Sequence, residues 1–435
     1  LLSSLALALV LAAGCGASDE SIRSLTILHT NDLHARFLPD DEDRGGFAHL
    51  AGAIRSECDR VEACLVLDAG DLVQGSPVSS LHRGVPVFDV ANLMGIDVTT
   101  LGNHEFDYGW ETIAKFLETA EFPVVTANVV DDEGTLLADE PYVVLEAGGI
   151  RVGVIGVLTE DLPYLTTSDK FEPWQILPVA ETVDRYLPEV AKQADLVVVL
   201  GHLLDEEETA ILERARDIPV VVSGHGHDRR EGPKVVDGRV GVRVEGYGRE
   251  LGRLDLRVDV RSRTVVDWSW RAIPIDASRL EPDPAVAKRV DAWEAEVAER
   301  ADVAIGEARR HLPHDEVRTL VEQALRETMQ ADLAYVNPGG IRDALPRGSI
   351  LVRHVWNVMP FDNHVVVGEF AGRELPRWLA AERGLEPDRT YRLVTMDFCV
   401  ATWRDRGTAD LAVTDTGLLV RDVIVEWIRK RGVLE

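Results

Sequence analysis

From about residue 24 to 276 the chain alternates short aliphatic and β-branched runs with amphipathic stretches, the pattern of a layered α/β domain. The runs predict strands over Leu25 to Thr30, Cys64 to Asp68, Val98 to Leu101, Val124 to Asn128, Leu196 to Leu200 and Pro219 to Ser223. Alternating segments on either side of Gly148-Gly149 and of Arg261-Ser262-Arg263 predict hairpins, so the sheets are expected to be mixed. Pro282-Asp283-Pro284 then opens a helix over 281–305, in which Val286, Val290, Trp293 and Val297 fall at spacings of 4, 3 and 4 on one face. That helix is expected to separate a domain at 24–276 from a smaller one at 306–435, which carries a helix over 315–330, short strands and clustered Gly and Pro turns. The expected fold is α/β, with layered mixed sheets flanked by helices and a second, smaller α+β substrate domain.

Charge narrows the function. Among 435 residues, 75 Asp and Glu face 46 Lys and Arg, a formal charge of -29, which excludes a basic nucleic-acid binder. Such a chain repels anionic substrates at long range, so phosphate chemistry requires local positive charge from metals or clustered Arg. The one strongly apolar segment, LLSSLALALVLAA at 1–13, is shorter than the roughly 20 residues of a spanning helix and reads as a signal-peptide core. Gly14-Cys15 after it resembles a bacterial lipobox, with Ala12 where that pattern prefers Leu; residues 1–15 are therefore expected to be a leader and Cys15 a lipidation site in an exported, periplasmic or cell-surface protein. In an oxidising compartment Cys58 and Cys64, six apart where a helix gives way to a strand, form either a local disulfide or two small core residues, and Cys399 is expected to be a buried thiol.

Five polar clusters follow predicted strands: Asp32-Leu33-His34, Gly70-Asp71, Gly102-Asn103-His104-Glu105, Gly201-His202 and Gly224-His225-Gly226-His227. They are expected on one rim of the sheets. Residues two apart in an extended segment share a side, so Asp32 with His34, and His225 with His227, can each face one cation, with Gly226 allowing a tight backbone turn. The donors comprise two carboxylates, four imidazoles and the Asn103 carboxamide, with no thiolate, a set suited to Zn, Mn, Fe or Co. Seven donors exceed one tetrahedral ion, so two divalent metal ions bridged by one carboxylate, most naturally Asp71, are expected. Any one cluster alone is more often a turn or a surface His; five in the same context point to a metal site.

The runs TILHTNDLHARF (26–37), DAGDLVQGS (68–76), TLGNHEFDYG (100–109), VVLGH (198–202), SGHGH (223–227) and NPGGIR (337–342) resemble the bacterial 5'-nucleotidase and UDP-sugar hydrolase family, whose first domain is a calcineurin-like metallophosphoesterase. The resemblance implies one metal at Asp32, His34, Asp71 and His227 and a second at Asp71, Asn103, His202 and His225. It further implies hydrolysis of nucleotide phosphoesters by a metal-bridging hydroxide, with His104 and Asp107 as catalytic dyad and Glu105 structural. In the small domain Asn337 and Arg342 are expected to bind substrate, and Phe361 and Phe398 to clamp a base. The chain departs from the family where VATWRD (400–405) replaces a G-G-D-G run whose Asp holds ribose, and where HDEVRTL from His314 replaces the segment that opens the small domain, so no second phosphate-binding Arg is placed. Cyclic or 3'-nucleotides, UDP-sugars and a non-nucleotide anion ester, such as a sulfur ester, stand as alternative substrates; a non-catalytic binding protein would not retain every ligand and both dyad residues.

Overall fold

The computed structural model describes residues 21–214 and 217–435; the leader and Cys15 lie outside the described residues. Two sheets stack face to face in the larger domain. The first runs Thr264–Pro274, Glu250–Asp259, Ile22–Thr30, Cys64–Asp68, Val98–Thr99, and the second Lys234–Val236, Arg239–Val242, Val220–Ser223, Leu196–His202, Ile150–Leu158, Tyr142–Ala147. Hairpins at Gly148-Gly149 and at Arg261 to Arg263 supply antiparallel edges to otherwise parallel centres.

The strand period explains the layering. Alternate residues Leu196, Val198 and Leu200 meet Leu25, Ile27, Leu65 and Leu67 between the sheets, while Val197 and Val199 pack outward against the helices Val179–Gln193 and Asp205–Arg214. On the opposite side Leu28 and Val66 pack against Phe47–Cys58 and Pro284–Ala301. Four layers result, helix, sheet, sheet, helix, and each fully buried Val or Leu contributes about 1.5–3 kcal/mol relative to exposure. The run Leu196–His202 is buried on both faces, which is why it reads as continuous rather than alternating hydrophobicity.

The smaller domain has a four-stranded sheet (Leu333–Ala334, Thr390–Met396, His364–Ala371, Thr414–Leu419) and a three-stranded one (Gly348–Leu351, Ala304–Ala308, Val433–Leu434) around a core closed by the helices His314–Met329 and Val420–Arg431. The helix Pro284–Ala301 starts where the Asp283 carboxylate accepts the N–H groups of Ala285 and Val286, with Pro284 in its first turn. Its Val286, Val290 and Val297 are buried on the larger domain, and Trp293 donates its indole N–H to Asp89 at 2.7 Å. Cys58 and Cys64 form a disulfide with Cα atoms 5.4 Å apart, and Cys399 is free and buried.

Two expected strands differ. The segment predicted over Val98 to Leu101 is a strand only at Val98–Thr99, because Leu101 donates its N–H to the Thr126 hydroxyl rather than to a neighbouring strand. Val124 to Asn128 joins neither sheet: Val125 N–H donates to Thr99 and Ala127 N–H to Gly156, so the segment wedges between the two sheets, and the regular pairing is Val129–Val130 with Gln175–Ile176.

Candidate metal centre and its cleft

The carboxyl ends of both sheets converge on one rim. The strand Ile22–Thr30 leads to Asp32 and His34, Cys64–Asp68 to Asp71, Val98–Thr99 to Asn103, and Val220–Ser223 to His225 and His227, while His202 ends its own strand. One ligand atom from each of Asp32, His34, Asp71 and His227 lies within 4.8 Å of the others. His34 Nε2 and His227 Nε2 stand 3.0 Å apart, and His227 Nε2 lies 3.3 Å from Asp32 Oδ1. A second group adjoins the first: Asn103 Oδ1 is 3.0 Å from His225 Nδ1 and 3.1 Å from His202 Nε2, which is 3.1 Å from Asp71 Oδ2. Asp71 Oδ2 is also 3.8 Å from His34 Nε2, so this oxygen faces both groups, and although buried it accepts no hydrogen bond among the described residues. An orphaned carboxylate oxygen among converging imidazole nitrogens fits a bridging ligand.

The loops are held in costly shapes. Asp32, His34, Asp71 and His225 have φ of 52°, 48°, 56° and 73°, left-handed values that cost a non-glycine residue about 1–2 kcal/mol each. The two-residue spacing of Asp32 and His34 thus brings them together through a bent loop, not an extended one. Gly226 also differs from expectation: the left-handed residue of that turn is His225, and the missing side chain of Gly226 makes room for the Arg243 guanidinium. Glu105 stabilises the strained Asp71 loop, its carboxylate accepting the N–H groups of Asp71, Leu72, Val73 and Gly102 at 2.7 to 3.2 Å. Gly70, at φ 83°, has no room for a Cβ, which would meet Gly102 N at 2.7 Å.

Second contacts orient the ligands. His202 Nδ1 lies 2.9 Å from the Ala69 carbonyl, so it carries the proton and leaves Nε2 facing the site. Asn31 donates to Asp32 Oδ2 at 2.7 Å, and Asp32 Oδ1 accepts the His225 N–H. Burial, with the Arg342 charge, holds His34 well below the ordinary imidazole range, and burial with the charge of His202 brings His225 down to about 4. Burial opposes charge on His202 as well, but Asp71 and Asp32 outweigh it and push that group up to about 10. The carboxylates therefore form a negative well that favours cations at this rim.

His104 and Asp107 flank this rim without joining it. His104 Nδ1 meets Asp107 Oδ2 at 2.7 Å, and His104 Nε2 lies 4.0 Å from Asp71 Oδ2. Burial lowers the basicity of His104, yet Asp107 and Asp71 prevail and raise it above the ordinary imidazole value. Across the cleft the small domain supplies Arg342, whose Nη2 reaches 3.0 Å from His34 Nε2 and 3.4 Å from His227 Nε2. Phe361 stacks over His104 with ring centres 5.8 Å apart. Asn337, Arg342, Phe361 and Phe398 all line one cleft of about 940 Å³ that includes Asp71, Asn103, His104, His225 and His227.

Several contacts were not legible in the sequence. Arg36, in the loop of Asp32 and His34, pairs with Asp343 at 2.7 Å and lies over the Tyr247 ring, while the Tyr247 hydroxyl is 3.2 Å from His227 Nδ1. These residues tie the Arg342 loop to the metal loop; the run DLHAR contains Arg36, but no local signal pairs it with a residue 307 positions away. Trp403, in the run that replaces G-G-D-G, belongs to the helix Asp397–Asp405 and is buried against Tyr335 with ring centres 5.5 Å apart. Arg318, on the helix opening the small domain, donates to the Val336 carbonyl and stacks on Tyr335.

Comparison with known proteins follows the same division. Residues 25–229 match the calcineurin-like phosphoesterase family and residues 296–384 the 5'-nucleotidase C-terminal domain. The chain is 24% identical to Protein UshA of Yersinia enterocolitica, covering 100% of this chain and 96% of that protein. It is 26% identical to a 5'-nucleotidase of Vibrio cholerae, covering 84% and 78%. A 5'-nucleotidase precursor from Thermus thermophilus superimposes with a TM-score of 0.86 at 25% identity, covering 95% and 97% of the two chains. The sulfate thiohydrolase SoxB of Thermus thermophilus shares the fold, with a TM-score of 0.82 at 18% identity over 94% of each chain. Calcineurin-like phosphoesterases use a dinuclear metal site, and the cluster on this rim has the donors for metal. With both domains present in this order, the chain belongs to the 5'-nucleotidase family of calcineurin-like metallophosphoesterases, hydrolases of phosphoesters.

Proposed function

We propose that the chain removes phosphate from nucleotides at a site of two divalent metal ions, one held by Asp32, His34, Asp71 and His227 and the other by Asp71, Asn103, His202 and His225. The ions, of the Zn, Mn, Co or Fe kind, neutralise phosphoryl oxygens and make water more acidic, and two carboxylate ligands leave the pair net positive in a chain of charge -29. The chain's own groups do the rest. His104, kept basic and oriented by Asp107, donates a proton or hydrogen bond from Nε2 toward the phosphoryl group or its leaving oxygen. Arg342 pairs with the phosphate from the opposite wall, where its fork of donors suits two oxygens. Asn337 contacts the remainder of the substrate, and Phe361 and Phe398 hold the base by stacking.

The observation that carries this reading is Arg342 at 3.0 Å from a rim imidazole, which puts a small-domain anion receptor and the metal donors around one point. Where the family holds ribose the chain has a helix with Trp403 buried, so base and ribose selection is expected to be looser than the full motif would give. Phosphate release measured over nucleotides, cyclic and 3'-nucleotides, UDP-sugars, sugar phosphates and a sulfur ester, with Mn, Co and Zn, tests the proposal. Turnover of the sulfur ester alone would assign the site to another anion, since one fold serves several chemistries. Phe361→Ala is expected to raise KM for AMP about tenfold, matching a stacking loss of ~1 to 3 kcal/mol, and much less for an aryl phosphate, which has no base. Equal changes for both would remove the aromatic clamp from the account.

Location rests on the leader. Among the described residues no helix is long and apolar enough to cross a membrane, and an exported protein anchored through a lipid on Cys15 is the reading we favour. Cys15→Ser is expected to move the full-length protein from the membrane to the soluble fraction; unchanged membrane recovery would refute lipidation.

A further inference from the structure

One imidazole of the rim is oriented by a side chain outside the donor set. His227 Nε2 faces the site, 3.0 Å from His34 Nε2 and 3.3 Å from Asp32 Oδ1, while its Nδ1 lies 3.2 Å from the Tyr247 hydroxyl. With Nε2 left free for a cation the proton sits on Nδ1, and the phenol oxygen accepts that N–H. His202 meets the same need through the Ala69 carbonyl, a main-chain group. His227 depends on a side chain, which a substitution can remove.

The backbone of Tyr247 is held for that contact. Its φ is 64°, a left-handed value that a bulky aromatic residue rarely adopts, and such an outlier persists only where its surroundings over-determine it. Here they do: Tyr247 N–H donates to the Asp32 carbonyl at 2.6 Å, and Gly246 N–H to the His227 carbonyl at 3.1 Å. A Cβ on Gly246 would crowd the Asp32 Cβ at 3.1 Å, so the close approach needs glycine. The turn therefore grips both segments that carry Asp32, His34 and His227. Its ring lies against the same imidazoles, the ring centre 5.3 Å from that of His34 and 5.1 Å from that of His227. Two guanidiniums hold the ring in turn: Arg36 and Arg249 each lie 5.3 Å from its centre, with Arg36 paired to Asp343 at 2.7 Å and Arg249 to Asp40 at 3.0 Å.

We propose that Tyr247 is a positioning residue for the first metal ion: its hydroxyl fixes the His227 proton on Nδ1 and aims Nε2 at the centre shared with Asp32 and His34. This role rests on the proposed ligand set for the identity of that centre, and it adds the contact that orients one of the ligands. Without the acceptor the imidazole divides its population between tautomers and ring orientations, and a cation then binds only the competent fraction, which lowers the apparent affinity by that factor. The effect is confined to one ion, because no hydrogen bond or ring contact joins Tyr247 to Asn103, His202 or His225 among the described residues.

Zinc binding to the metal-free chain, read by competition with a chromophoric chelator, should be measured for wild type, Tyr247→Phe, His227→Ala and the double variant. Tyr247→Phe keeps the ring between its guanidiniums and loses only the hydroxyl. It is expected to weaken one of two zinc sites about tenfold, the scale of losing a group that orients a metal ligand, and to leave the other unchanged. In the His227→Ala background the same substitution should cost nothing further, since the imidazole it orients is gone. Equal weakening of both sites by Tyr247→Phe, or a loss that persists in full beside His227→Ala, would show a general structural role and overturn the proposal. So would wild-type affinity in Tyr247→Phe while His227→Ala weakens a site, a result that leaves the ligand set standing. If the wild-type chain binds fewer than two zinc ions, or His227→Ala leaves both affinities unchanged, the ligand set itself fails and the role of Tyr247 falls with it.

Discussion

Asp71→Ala is expected to abolish turnover and metal binding together. Asp71 Oδ2 is the oxygen that faces both donor groups, 3.8 Å from His34 Nε2 and 3.1 Å from His202 Nε2, and among the described residues no hydrogen bond satisfies it. Its loss leaves three donors in each group and removes one of two negative charges that make the rim attractive to cations. The activity loss should exceed the ~100- to 1,000-fold that follows from deleting a single electrostatic stabiliser. Asn103→Ala removes a neutral donor from one group, so its cost should be smaller and confined to one ion. Elemental analysis beside kinetics separates the cases: wild type should carry two metals per chain, and active protein with one metal, or none, would defeat the bridged pair. Because Glu105 keeps the Asp71 loop in shape through four N–H bonds, the variant should keep its fold, which circular dichroism can check.

His104→Ala should reduce turnover by ~100-fold or more while leaving metal content nearly intact, the scale of a group that acts on the substrate in the transition state. The geometry supports this separation. His104 Nε2 is 4.0 Å from the nearest Asp71 oxygen, and Asp107 occupies Nδ1. Asp107→Asn should lie between wild type and His104→Ala, since it keeps the hydrogen bond in place but removes the charge that keeps the imidazole basic. If His104→Ala strips a metal, His104 is a ligand, and the assignment of the adjacent Asn103 changes with it.

The sequence alone determined the chemistry of the parts. Residue types and short spacings settle which side chains can ligate a metal, and the period of the apolar runs settles which faces of the strands are buried, because both are local properties of the chain. Leu196 to Leu200 reads correctly for that reason, and so does the helix face of Val286, Val290 and Val297. Whether Cys58 and Cys64 pair was open in the sequence, since only a Cα separation, here 5.4 Å, decides it. Distance along the chain hid the rest. Asp32 meets His225, and His34 meets His227, across 193 residues each, and Arg342 meets His34 across 308, through strand register and the packing of two domains. Local reasoning even misassigned causes: Asp32 and His34 meet through a left-handed bend and not an extended segment, and Gly226 is needed to admit Arg243. Val124 to Asn128 has strand composition but sits where the two sheets approach, so its N–H groups find single partners on either side instead of a ladder. Composition therefore specified the donors and the core, while the tertiary structure decided which donors share a centre and that Arg36 and Asp343 join the two loops. The physical reason is that pairing energies act over a few ångströms in space, and only the completed packing of sheets and domains brings residues hundreds of positions apart within that range.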